Sequence, residues 1–205
     1  EIGKNGNINE GVKMENGSIL NVIMAPPQNL PIDLDIQKFF DTMSHTYLRE
    51  ILASRVCDGV LVRLINKWLK AGVWAKGSIV YPREGSPQGG VISPLLSNIY
   101  LHAVLDKWFE EQVKPRMKGK AYLVRFADDA VLIFSERGDA HRVMEVLPKR
   151  FGRYGLTVHP EKTRIVRFTR PKDREGGKQG RRPQTFNFLG FTHYWGLSRK
   201  GNWIV

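Results

Sequence analysis

Cys57 is the only cysteine in the 205-residue chain. An internal disulfide is therefore excluded, and so is a zinc site built on several thiols. So little cysteine fits a reducing compartment, and the expected location is the cytoplasm. Long hydrophobic runs are also missing. Stretches such as residues 130–134, Ala-Val-Leu-Ile-Phe, fall far short of the ~20 apolar residues that a membrane helix needs. No signal-peptide pattern opens the sequence, no membrane partner is expected, and there is no internal repeat. The first residue is Glu1 rather than Met, which reads as a segment of something longer.

Acidic residues are scarce in one half only. Residues 1–110 hold 11 Lys+Arg and 11 Asp+Glu, whereas residues 111–205 hold 21 and 9, so the whole formal charge of +12 lies in the second half. Such an asymmetry points to a polyanionic partner, nucleic acid first, against the simpler reading of a solvated basic surface. A hydrophobic content of 41% with five tryptophans argues against disorder. A chain of this size buries roughly 70% of its unfolded surface, enough for one domain or one domain plus a fragment.

Residues 1–31 are rich in Gly, Asn and Pro and read as irregular, with one short strand at 19–24. Residues 32–36, Ile-Asp-Leu-Asp-Ile, alternate as a strand does, with both carboxylates on one face. Ser44 reads as the N-cap of a helix, and a second helix starts near Asp58, with Val60, Leu61, Leu64, Ile65, Trp68 and Leu69 as its apolar face and Gly72 at its end. A hairpin over 73–81 and a turn-rich segment over 84–90 precede a long helix at 94–111. Two apolar strands, 122–126 and 130–134, flank Ala127-Asp128-Asp129. A helix at 139–154 contains Pro148, which is expected to kink or split it. Further strands are expected at 156–158, 164–168, 185–189 and 191–194, with a basic, Gly-rich loop at 170–184. Mixed strands and helices with hairpins point to an α+β fold, a sheet with helices on one face.

The pair Asp128-Asp129 carries most of the chemistry. Two adjacent acids between two apolar strands sit in a hairpin turn and project from a sheet edge. Alone, they are an ordinary acidic turn, since Asp favours turns. Like charges so close call for a cation, and Mg²⁺ takes a few carboxylates together with substrate phosphates. Asp35 supplies a third acid if its strand lies beside the hairpin. Asp33 competes with it on the same face; Asp35 is preferred because Phe39 and Phe40 follow and can wall a nucleotide site.

Five runs occur in order: Asp35-Ile-Gln-Lys-Phe-Phe-Asp41, Gly85-Ser-Pro-Gln-Gly-Gly-Val-Ile-Ser-Pro-Leu-Leu-Ser-Asn-Ile-Tyr-Leu101, Phe126-Ala-Asp-Asp129, Gly155-Leu-Thr-Val-His-Pro-Glu-Lys-Thr163 and Phe188-Leu-Gly-Phe191. Together they resemble the palm of a reverse transcriptase of the bacterial group II intron-encoded, or maturase, type, over residues 32–205. The resemblance implies a ferredoxin-like antiparallel sheet with helices on one face and a partial fingers region at 44–81. It further implies an RNA-directed DNA polymerase, joining dNTPs to a primer 3′-hydroxyl on an RNA template, with intron RNA as a further partner. Asp35, Asp128 and Asp129 correspond to the ligands of two Mg²⁺ ions, for which Mn²⁺ is a substitute. Ile36, Phe40, Gln88 and Lys162 match nucleotide-pocket positions, Phe40 being the steric gate against a ribose 2′-hydroxyl. Phe188, Leu189 and Gly190 match the primer grip. Arg164, Arg167, Arg181 and Arg182 fall where template–primer contacts are expected. His45, inside Phe-Asp-Thr-Met-Ser-His, reads as a capping or packing group.

Two residues depart from the family pattern: Phe126 stands where Tyr is usual, and Gln37 where Lys is usual. The fingers blocks are not recognisable in residues 1–31, and the helical thumb is expected to begin where this chain stops. The competing reading is a truncated, non-catalytic RNA-binding remnant governed by the basic segment, where residues 162–182 hold nine Lys+Arg and two acids.

Overall fold

A computed structural model describes residues 28–71, 73–75, 78–80, 84–86, 90–171 and 184–205. The expected strand at 19–24, Gly72 and residues 87–89 lie outside the described residues, as do residues 172–183 of the basic loop.

The central sheet is built from β1 (Gln28–Leu34), β5 (Ala121–Phe126), β6 (Asp129–Phe134), β8 (Arg164–Ile165) and β9 (Phe168–Thr169). Its order is β5-β6-β1-β8, with β9 also on β1, and every pair is antiparallel. Counting β1, β5, β6 and β8 as strands one to four gives the order 2-3-1-4. With a helix after the first and third strands, this is the split βαβ arrangement of a ferredoxin-like sheet. The α+β expectation holds, and the expected pair of apolar strands becomes the β5–β6 hairpin.

Side-chain alternation sorts the strands into two cores. Ile32 and Leu34 of β1, Leu123 of β5 and Ala130, Leu132 and Phe134 of β6 join the larger core, under the helices. Val124, Val131 and Ile133 face the opposite way, against Val166, Phe168, Phe186 and Phe188. Phe186 and Phe188 come from β10 (Phe186–Phe188), which forms a hairpin with β11 (Phe191–His193). The face without helices is thus covered by this hairpin. Ala130–Phe134 is a continuous apolar run because β6 is buried on both faces.

The expected strand at 164–168 is instead two short ones. Pro31 explains the break. It lies within β1 opposite Ile133, and its carbonyl accepts from the Val166 amide at 2.8 Å on the other side. Proline has no N–H to complete the ladder there, so pairing lapses at 166–167 and resumes at Phe168.

Helix α1 (Phe39–Thr42) is a single turn that carries both Phe39 and Phe40. Helix α2 (His45–Ala53) follows, with Ser44 at its N-cap position but no capping bond from its side chain. Helix α3 (Gly59–Leu69) is capped by Asp58, whose carboxylate accepts from the Val60 and Leu61 amides at 2.7 and 3.2 Å. Only Ile65 and Leu69 of its expected apolar face are buried; Val60, Leu61, Leu64 and Trp68 are exposed. The hairpin of β3 (Val73–Ala75) and β4 (Ser78–Val80) forms as expected. Strand β2 (Ile36–Gln37) pairs with β7 (Thr157–Val158).

Helix α4 (Ser93–Leu101) continues through π turns at His102–Asp106 and Phe109–Val113 to a 3₁₀ turn at Lys114–Arg116. Such π turns reset which side chains share a helix face. Helix α5 (Arg137–Gly152) runs unsplit through Pro148. Arg150 of α5 donates to the Val104 carbonyl at 2.9 Å and the Ala103 carbonyl at 3.2 Å, and its guanidinium lies over the Trp108 and Tyr154 rings. The two long helices are locked together by these contacts beneath the sheet. Strands β12 (Gly196–Leu197) and β13 (Trp203–Ile204) form a last small hairpin.

Candidate active site

Strand register brings the three acids together. β5 and β6 close on the pair Phe126↔Asp129, leaving Ala127 and Asp128 as a two-residue turn. β1 pairs with β6 through Leu34↔Ala130, so the next step of the ladder sets Asp35 beside Asp129. The apolar alternation of β1 and β6 fixes that register, because a slip of one residue would turn Ile32, Leu34 and Leu132 out of the core. Burial holds the Asp129 carboxyl above its ordinary range, with the Asp128 and Asp35 charges adding to the rise. Asp33 stands one step back, between Val131 and Arg164. Burial raises its carboxyl too; Arg164 opposes the rise, and Asp35 and Asp129 reinforce it. Four acids therefore feel one another at one end of the sheet. Carboxylate oxygens alone suit a hard divalent cation. Among the described residues no three acid, His or Cys side chains are gathered into a ready cation cage.

The segment after β7 buttresses Asp35. Thr163 is buried, and its hydroxyl accepts from the Asp35 amide at 3.1 Å and donates to the Asp35 carbonyl at 3.2 Å. The His159 amide donates to the same carbonyl at 2.9 Å. Lys162 Nζ reaches Asp35 Oδ2 at 3.5 Å, an exposed pair that adds little stability. Ile36 is buried and pairs with Val158. Phe39 is in the core, whereas Phe40 is half-buried with its ring edge-on to Phe39 at 5.3 Å. One ring packs in the core and the other is partly open to solvent.

Phe40 is tied to the second motif. The Ser86 amide donates to the Phe40 carbonyl at 2.7 Å and the Gly85 amide to the Met43 carbonyl at 2.8 Å. Gln88 lies outside the described residues. Leu189 and Gly190 form the turn between β10 and β11, with positive φ at both; Phe188 is buried and Phe191 exposed. Arg164 and Arg167 are exposed on the β8–β9 edge, and Arg164 also donates to the Thr185 carbonyl at 3.3 Å. Arg181 and Arg182 lie outside the described residues.

Sequence reasoning passed over Thr163, which needed the pairing of β2 with β7 to be seen against Asp35. It also passed over Arg125. That residue is the one charge inside an apolar strand next to the acidic pair, which was a legible sign of a buried ion pair.

Residues 18–193 match the family described as Reverse transcriptase (RNA-dependent DNA polymerase). The putative COX1/OXI3 intron 1 protein of Saccharomyces cerevisiae is 27% identical over 66% of this chain and 22% of its own length. Protein YkfC of Escherichia coli is 35% identical over 50% of this chain and 33% of its own. The group II intron-encoded protein LtrA of Lactococcus lactis is 40% identical over 38% of this chain and 13% of its own. The chain thus spans a third or less of these relatives. Apo telomerase of Candida tropicalis truncated from its C-terminal domain shares the fold at a TM-score of 0.63 and 16% identity, over 85% of this chain and 37% of that one. Among the described residues no helix is long and apolar enough to cross a membrane. Matched along most of its length, and with group II intron-encoded proteins among its relatives, the chain belongs to the reverse transcriptase family.

Proposed function

We propose that this chain is the catalytic palm of an RNA-directed DNA polymerase of group II intron type, adding dNTPs to a DNA primer on an RNA template. The observation that carries this reading is the meeting of Asp35 with Asp128 and Asp129 at one end of the sheet. These three residues would hold two Mg²⁺ ions. Bound there, such ions would activate the primer 3′-hydroxyl and stabilise the departing pyrophosphate.

The chain's own groups do the rest. Phe40 excludes a ribose 2′-hydroxyl, and Ile36 and Gln88 contribute to binding the same nucleotide. Lys162 offers a cation, and a proton, to the triphosphate. The Phe188-Leu189-Gly190 turn steadies the primer end, while Arg164, Arg167, Arg181 and Arg182 neutralise template and primer phosphates. Intron RNA is a further partner of the same basic surface.

The test is primer extension on an RNA template with Mg²⁺, alongside binding of the same template–primer. Extension by the wild type and its loss in Asp128→Asn, with folding and binding kept, is the expected outcome. Tight, salt-sensitive RNA binding without extension at any Mg²⁺ or Mn²⁺ concentration would instead mark an RNA-binding remnant.

A further inference from the structure

Arg125 is almost wholly buried, with 7% of its side chain exposed, and four of its N–H bonds are committed. Nε donates to Asp106 Oδ1 at 2.7 Å and Nη2 to Asp106 Oδ2 at 2.6 Å, a two-pronged ion pair. Nη1 donates to Asn98 Oδ1 at 2.8 Å and to the Ala127 carbonyl at 2.7 Å. Two of these acceptors lie on the helical run beneath the sheet, Asn98 in α4 and Asp106 at the end of its first π turn. The third is the peptide that links Ala127 to Asp128.

Ala127 is left-handed, at φ 52°, a conformation that residues with a Cβ avoid. It opens the two-residue turn that carries Asp128. A strained residue keeps such a conformation only where its surroundings hold it there. Among the described residues, the Arg125 fork is the side-chain donor to this peptide, and it is braced by the Asp106 carboxylate. Lysine, a single point donor, cannot reproduce that planar fork.

We propose that Arg125 is a positioning residue: braced by Asp106 and Asn98, it fixes the Ala127–Asp128 peptide and so aims the Asp128 and Asp129 carboxylates. The inference rests on the polymerase reading for its purpose, but its geometry does not depend on that reading.

Arg125→Lys keeps the charge and removes the fork; Asn98→Ala removes one brace and leaves the ion pair. Three properties are measured: amide exchange of residues 127–130 by NMR in the metal-free chain, Mn²⁺ binding by EPR titration, and primer extension resolved into kcat, KM for dNTP and template–primer Kd. In Arg125→Lys, exchange rises and Mn²⁺ affinity falls, each by about 10-fold or more, the loss typical when a ligand's support is removed. kcat falls with them, while template–primer Kd stays put. Asn98→Ala moves the same quantities less far, and decides the matter if Arg125→Lys does not fold. A folded variant with wild-type exchange and Mn²⁺ affinity overturns the proposal. Wild-type chain that extends no primer sinks the polymerase reading instead, and the exchange comparison still decides whether Arg125 holds the turn.

Discussion

His45 Nε2 meets the carbonyl oxygen of Gly85 at 2.5 Å, joining the start of α2 to the loop that opens the second motif. A carbonyl can only accept, so Nε2 carries the proton and donates. Gly85 is the fitting partner, because its φ is +83° and an added Cβ would stand 2.5 Å from the Phe40 carbonyl oxygen and 2.7 Å from that of Asp41. Both neighbours are backbone and cannot swing aside. Gly85→Ala is therefore expected to destabilise by about 1–3 kcal/mol through strain alone. His45→Ala, which leaves a buried carbonyl unpaired, is expected to cost a similar ~1–3 kcal/mol. Urea denaturation of both variants checks this, and wild-type midpoints would show that the loop is anchored on neither α1 nor α2.

Asp139 ties the loop before β5 to α5. Its carboxylate accepts from the Lys118 and Gly119 amides at 2.8 and 2.9 Å and pairs with Arg142. Burial opposes the charged form, yet the bonds from Gly119, Arg142 and Lys118 outweigh it and hold the group below the usual carboxylate range. A lowered folded pKa gives stability that is fully present above the unfolded value of ~3.9 and is lost as pH falls through the folded one. At pH 7 Asp139→Asn is expected to be less stable by about 1–3 kcal/mol. Denaturation at a series of pH values should show that gap closing below about pH 4. A gap that stays constant to pH 2 would exclude the charge as its origin.

Pro148 lies within α5 and removes one backbone donor from the helix. Its side chain is exposed, so no packing is lost on substitution. Pro148→Ala restores the hydrogen bond and relieves a penalty of up to ~3 kcal/mol, less about 1 kcal/mol for the freer unfolded chain. The thermal midpoint should rise. A fall would mean that the helix is shaped by the proline rather than merely enduring it.

The parts of the fold that sequence made legible are those ruled by period. The β5–β6 hairpin, the helix that starts near Asp58 and the acidic turn all follow from local patterns of apolar and turn residues. Pro31 could be read as a boundary but not as a residue inside β1, since its tolerance depends on β8 and β9 parting opposite it. The α3 face showed the period of a buried helix, yet Val60, Leu61, Leu64 and Trp68 are exposed, because period says which residues share a face and not what covers it. Arg125 stood out as a lone charge in an apolar strand, but its partner 19 positions away did not, and Thr163 acts through a partner 128 positions away, which no local pattern indicates.

Asp33 and Asp35 remain the sharpest test of the site. On alternation alone the two are equivalent, both on one face of the strand. The structure separates them: Asp33 stays in the ladder opposite Arg164, whereas at Asp35 the ladder stops and Thr163 and His159 hold the backbone. Asp35 is thus the acid supported at the sheet end beside Asp129, and Asp33 is its neighbour with a cation of its own. Losing a supporting group near a metal typically costs 10–100-fold, and losing a ligand costs more. Asp35→Asn is expected to lower primer extension by more than about 100-fold, and Asp33→Asn by less than about 10-fold. Single-turnover extension of both, with folding checked by circular dichroism, decides between them. A reversed order would move the site one step down β1.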